Sequence, residues 1–262
     1  MKNKIKISTL LPFIFFFVFK NVSAQTTEGR VVYLEQIKFD RDTNKVKMDM
    51  PPGMEIPKMP PLKMELLFRG SESLWQSVPA DNTMSGPPGG GMHEGGMMLV
   101  MRNDKQEEKM YISRETKKVT ENRSIMDKLF LVNTDLKTRK WKLTGEQDTI
   151  AGYTCMKAIL QDDTNNVVAW FTPQIPVSVG PKDYGQLPGA ILKIDIRNGK
   201  HVYRASLVDL KPLQPDAILI PTKGKEVSDE EFNQLRRDKM KEMGFGDGHG
   251  PAPGSNVQII IK

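Results

Sequence analysis

Along much of the chain, short apolar runs alternate with polar residues at a period of two, the pattern of a strand with one buried face. Residues 29–39 (GRVVYLEQIKF) open the series, and 63–69 and 72–78 follow, joined by a turn at Gly70-Ser71. The pattern resumes at 97–102, 109–114, 129–133, 139–143, 153–160 and 167–172, with polar or glycine-containing turns between. Residues 191–196 (ILKIDI) alternate strictly and run into Asn198-Gly199. Asn-Gly between two such runs is a strong hairpin signal, which makes 201–210 the partner strand. Many short strands with close turns predict a mainly β fold, a curved antiparallel sheet or half-barrel. One C-terminal helix is expected. Ser228 and Glu231 form a capping box, Phe232, Leu235, Met240 and Met243 recur at roughly helical spacing, and Gly244 stops the helix.

Two stretches interrupt this pattern. Residues 40–62 lose periodicity and fill with Pro, Lys and Met, and residues 79–96 hold six glycines and three prolines. Both read as long Met/Gly/Pro-rich loops, since Pro and Gly at that density oppose regular structure. The expected organisation is a leader at 1–24 and a β-rich domain at 25–221 carrying these insertions. Residues 222–262 then hold the helix, a glycine-rich linker and a last apolar strand at 257–261.

The first 24 residues have the order of a secretory signal peptide. Lys2, Lys4 and Lys6 are followed by an apolar run from Leu10 to Phe19, and Val22-Ser23-Ala24 precedes Gln25. The run falls short of the about 20 residues a membrane span needs. The expectation is cleavage after Ala24, export to the periplasm or the medium, and no transmembrane segment in the mature chain. The formal charge of +6 falls to +2 when the leader's four lysines are removed. With no clustered Lys/Arg in a recognition motif, nucleic acid is not an expected partner. The single cysteine, Cys155, cannot form an internal bridge, and three histidines (His93, His201, His249) leave little for a His-based metal cage or triad.

The most distinctive stretch is Trp170–Asp195, WFTPQIPVSVGPKDYGQLPGAILKID. Leu187-Pro188-Gly189-Ala190 fits a type II turn: Pro188 presets φ at the second position and Gly189 supplies positive φ at the third. Gly180-Pro181 adds a rigid bend. With Gly180, Pro181, Leu187, Pro188, Gly189, Ile191 and Leu192 in this order, the chain resembles the GLPGLI family, exported bacterial proteins named for this turn. Trp141, Ile150-Ala151-Gly152-Tyr153, Cys155, Lys157-Ala158, Ala169-Trp170 and Ile175-Pro176 follow the same pattern over roughly residues 28–210. Gln186 and Ala190 depart from it. The resemblance implies a β-sheet envelope protein with no reaction attached, whose partner is an envelope protein or a hydrophobic ligand. Cys155, in an expected strand with no His close in sequence, reads as a buried structural thiol.

No zinc-protease motif, nucleophile elbow, P-loop or dinucleotide fingerprint is present. The leading expectation is therefore a non-enzymatic exported binding protein with no catalytic residues and no certain cofactor. A hydrolase using a non-local carboxylate pair is a further alternative, and would need two carboxylates roughly 5–10 Å apart in a cleft. Methionine raises another. Eleven of the sixteen methionines fall between Met48 and Met110. Thioethers are soft ligands that select Cu(I), so copper handling is the alternative function, with Met92, His93, Met97 and Met98 as ligands. Adaptable apolar contact and compositional drift explain the same residues without a metal.

Overall fold

The computed structural model describes residues 27–38, 61–78, 108–161 and 163–242. The leader expected at 1–24, most of both irregular insertions, the strand expected at 97–102, the proposed ligands Met92, His93, Met97 and Met98, and the strand expected at 257–261 lie outside the described residues.

Twelve described strands form one sheet. They are β1 (Glu28–Ile37), β2 (Leu62–Arg69), β3 (Glu72–Ser77), β4 (Lys109–Ser113), β5 (Lys118–Ile125), β6 (Lys128–Asp135), β7 (Trp141–Ile150), β8 (Tyr153–Leu160), β9 (Val168–Thr172), β10 (Ala190–Ile196), β11 (His201–Asp209) and β12 (Lys225–Val227), followed by α1 (Asp229–Glu242). Their spatial order is β12-β6-β5-β4-β3-β2-β1-β11-β10-β9-β8-β7. Two antiparallel meanders thus meet at a β1–β11 seam, and β12 alone pairs in parallel, with β6. Large twisted sheets curl to bury their inner face. Here β7 comes back to touch β11 without pairing, so the sheet is strongly curved but not closed. The expected mainly β, curved antiparallel fold with one C-terminal helix is what the chain adopts.

Period-two alternation builds the core. Val31 and Tyr33 of β1, Met64, Leu66 and Phe68 of β2, Trp75 of β3, and Tyr203 and Ala205 of β11 face inward with Cys155, Ala158, Ala169 and Phe171. The long β9–β10 connection adds Ile175, Val177, Val179 and Leu187 to the same cluster. At the seam, Tyr33 donates its hydroxyl to the carbonyl of Ile191 at 2.7 Å. Buried Glu35 accepts from Tyr203 Oη at 3.1 Å and lies 2.9 Å from His201 Nε2, a polar lock across β1 and β11. The outer face of β2–β4 is covered by Leu213, Ala217 and Ile218.

The capping box forms as expected. Ser228 N–H donates to Glu231 Oε2 at 2.9 Å, and Glu231 N–H to Ser228 Oγ at 3.1 Å. Phe232 then buries against Phe130, Val132 and Val227. Asn198 and Gly199 both have positive φ, and Lys200 N–H donates to Arg197 O at 3.3 Å, the geometry of a type I′ hairpin turn.

The Pro188-Gly189 segment departs from the expected type II turn. Gly189 N–H donates to Leu187 O at 2.8 Å, a three-residue turn centred on Pro188, while Ala190 N–H is taken by Ile175 O. Gly189 has φ +150°, not the value near +80° of a type II turn. A Cβ there would stand 2.0 Å from Thr172 O. Glycine is required by the close approach of β9 as well as by its φ.

Strands β5 and β12 escaped the alternation signal, and the strand expected at 139–143 is displaced and longer. In β5, Glu121 and Asn122 fill buried positions, held by Arg123 and by the carbonyl of Lys223. Strand β7 is an edge with a nearly all-exposed pattern, interrupted where the register shifts between Leu143 and Gln147 around Gly145. It begins at Trp141 rather than at 139 and runs to Ile150.

Candidate functional site

The β6–β7 connection and the end of β8 enclose a cleft of about 310 Å³, lined by Lys137, Thr138, Arg139, Lys140, Leu160, Gln161 and Asp163. Its floor is the last rung of the β7–β8 ladder, where Gln161 N–H donates to Lys140 O at 2.8 Å. The β9–β10 connection bonds through Gln186 to the 137–139 segment that lines the cleft. Gln186 Nε2 donates to Lys137 O at 2.7 Å, and Gln186 Oε1 accepts from Arg139 N–H at 2.9 Å. One side chain therefore pins both ends of the short segment that carries Arg139. Gln186 itself sits at φ +65° and is anchored through its own N–H to Ser178 Oγ at 2.7 Å. Trp141 adds a second clamp, donating Nε1–H to Gly185 O at 2.9 Å.

Arg139 is held on two sides. Its Nη2 meets Asp183 Oδ2 at 2.5 Å, and its guanidinium lies 4.2 Å from the ring centroid of Tyr184, within cation–π range. Burial pushes the Tyr184 phenol up to about 12, with Arg139 opposing, so the ring remains a neutral stacking partner. Opposite, Asp163 Oδ1 accepts from the N–H and the side-chain amide of Asn165, at 3.1 and 3.0 Å. Among the described residues, three buried side-chain polar atoms lack a hydrogen-bond partner: Trp75 Nε1, Arg139 Nε and Asp163 Oδ2. Buried polar atoms are normally paired, so each such atom needs an explanation. That two of the three belong to residues lining one cleft singles it out.

The residues singled out from sequence are placed differently. Gly180, Pro181, Leu187, Pro188, Gly189 and Ile191 lie on or beside the β9–β10 connection. They are structural: Leu187 and Ile191 are core, and a Cβ on Gly180 would meet Tyr184 O at 2.8 Å. Cys155 is fully buried, and burial pushes its thiol up to about 11. Glu121 and Asp229 converge, but on Arg123, which bonds to both and covers the Phe232 ring; they are an ion-paired helix anchor. Among the described residues, no group of three or more His, Cys, Asp or Glu could hold a metal, and no helix is long and apolar enough to cross a membrane. Arg139, Asp163, Asp183 and Tyr184 escaped the sequence reading.

The family described as N-glycanase peptide, N-terminal domain matches residues 99–230, which contain the whole cleft. Two solved structures of PNGF-II, in different crystal forms, are similar to this chain. One is 17% identical with a TM-score of 0.51, the other 16% identical with a TM-score of 0.49, and each covers 80% of the chain. The chain spans about a third of the length of those proteins, 32% and 33%, and at this identity the likeness is one of fold. No curated protein matches. These findings overturn the resemblance to the GLPGLI family. Its signature lies in a connection whose Gly189 is dictated by φ and by the close approach of Thr172, a backbone constraint that does not identify a family. The non-enzymatic binding function drawn from that resemblance falls with it, and copper handling by methionine-rich loops gains no support. With the match extending over half of its length, the chain belongs to the family of the N-glycanase peptide, N-terminal domain.

Proposed function

We propose that this protein works in N-glycan release, the hydrolysis of the amide that joins a glycan to an asparagine side chain. Water oxygen joins the side-chain carbonyl carbon, the carbon–nitrogen bond breaks, and the nitrogen leaves with the sugar, converting Asn to Asp. The observation that carries this reading is the family match over residues 99–230. The leader-like segment at 1–24 fits it, because exported proteins meet glycosylated chains, and we propose export as part of the same reading.

The test is direct. The full chain is incubated with a denatured N-glycosylated protein and the peptides are analysed by mass spectrometry. Loss of glycan together with conversion of the carrier Asn to Asp is expected. Recovery of every glycopeptide intact would overturn the proposal.

A further inference from the structure

We infer that Arg114, just past the end of β4, anchors a binding site for a small oxyanion, a carboxylate or a phosphate or sulfate group, taken on the Nε–Nη2 edge of its guanidinium. The side chain is half-buried, and its Nη1 donates to the buried Ser73 Oγ of β3 at 3.0 Å. Its Nη2 lies beside the β9–β10 connection, 3.9 Å from where a Cβ on Gly185 would stand. No counter-charge accompanies it. Arg69, Arg123 and Arg139, also partly buried, each meet a carboxylate, whereas Arg114 forms no ion pair among the described residues. Burial alone pushes its guanidinium down to about 10, so it stays charged at neutral pH with nothing to balance it. The acids nearest in sequence do not serve: Glu72 takes the Tyr111 hydroxyl, and Glu115 is exposed. Charges drawn out of water are normally paired, so a lone one marks a place for a partner of opposite sign.

The free edge can be reached and has the shape for this ligand. Arg114 Nε and Nη2 have no hydrogen-bond partner, yet neither is among the enclosed unpaired polar atoms, so both keep contact with solvent. Two parallel N–H bonds on one guanidinium edge match two oxygens of a carboxylate, phosphate or sulfate. A halide would balance the charge but offers one acceptor atom to two donors. A neutral ligand would leave the charge uncompensated, and a metal cation would be repelled. Ser73 holds the opposite side of the guanidinium, which lowers the ordering cost of binding. Gly185 keeps the connection's side of Nη2 clear, since any side chain there would stand against it. None of this depends on the N-glycan reading.

The probes are acetate and inorganic phosphate, with chloride at matched ionic strength as the reference. Each is titrated into the full chain by calorimetry at neutral pH, and the melting temperature is followed over the same concentrations. Acetate or phosphate should bind at a single saturable site and raise the melting temperature above its value in chloride, because a ligand of the folded state stabilises it. Acetate binding more tightly identifies a carboxylate as the occupant, and phosphate binding more tightly identifies a tetrahedral oxyanion. Arg114→Lys keeps the charge but replaces the two-donor edge by one ammonium, and affinity should fall at least about tenfold. Arg114→Leu removes the charge and should show only the general stabilisation that phosphate gives any folded protein. Equal affinity in Arg114→Lys and wild type would overturn the inference. So would a wild-type response to acetate and phosphate no larger than the response to chloride, which would leave water as the partner of the free edge.

Discussion

Gly189→Ala tests the joint between the β9–β10 connection and the core. Its backbone has φ +150°, a region L-residues rarely occupy, and its Cβ would stand 2.0 Å from Thr172 O, 2.6 Å from Thr172 C and 3.0 Å from Pro173 Cα. Cβ contacts below 3.0 Å are essentially never seen, so β9 and β10 must separate by about 1 Å at the Ala190–Thr172 pair. Backbone strain of this kind costs roughly 1–3 kcal/mol, and forcing atoms into a packed core costs about 1–3 kcal/mol. Together these give roughly 2–6 kcal/mol, a large share of the ~5–15 kcal/mol that holds a domain folded. Gly152→Ala is the control: Gly152 has φ +84° and nothing within 4 Å of its Cβ position, so only the φ cost of about 1–2 kcal/mol applies. Urea unfolding of both variants beside the wild type reads the difference. With a slope of ~1–3 kcal/mol per molar urea, a loss of about 4 kcal/mol moves the midpoint by more than ~1 M. A Gly189→Ala midpoint no lower than that of Gly152→Ala would refute the close-approach argument.

Ser228→Ala should cost about 1 kcal/mol and fray the start of α1, because Glu231 N–H loses its acceptor; faster amide exchange confined to the first helical turn would check it. Cys155 should resist thiol reagents at pH 8 until the chain unfolds, since it is fully buried with its thiol pushed up to about 11. The folded state favours the protonated thiol, so this contribution to stability is complete below the free-cysteine value near ~8.5 and is lost as pH rises through about 11. Rapid labelling of the native protein would contradict this, as would a Cys155→Ala variant whose stability falls as steeply as the wild type's between those pH values.

The sequence alone determined those elements whose signal is local. Alternation at Val31 and Tyr33, at Met64, Leu66 and Phe68, and at Tyr203 and Ala205 reports one buried face, because side chains of a strand alternate sides. The Ser228–Glu231 box and the Asn198-Gly199 turn are contacts within a few residues, so their residue types specify them directly. Tertiary structure decided what depends on distant partners. Strand β5 is buried through Glu121 and Asn122 only because Arg123 and the Lys223 carbonyl reach them. Gly189 avoids the type II turn because Ile175 O, fifteen residues upstream of Ala190, captures the amide that such a turn would use. The cleft is the clearest case. Arg139 and Asp163 are an ordinary loop arginine and turn aspartate in sequence. They come to line one cleft because β7 and β8 pair with Trp141 opposite Leu160, and Gln186, from a third segment, fixes the backbone of Lys137 and Arg139. Their unpaired atoms are defined only by what surrounds them in space, and no local pattern of residue types records that.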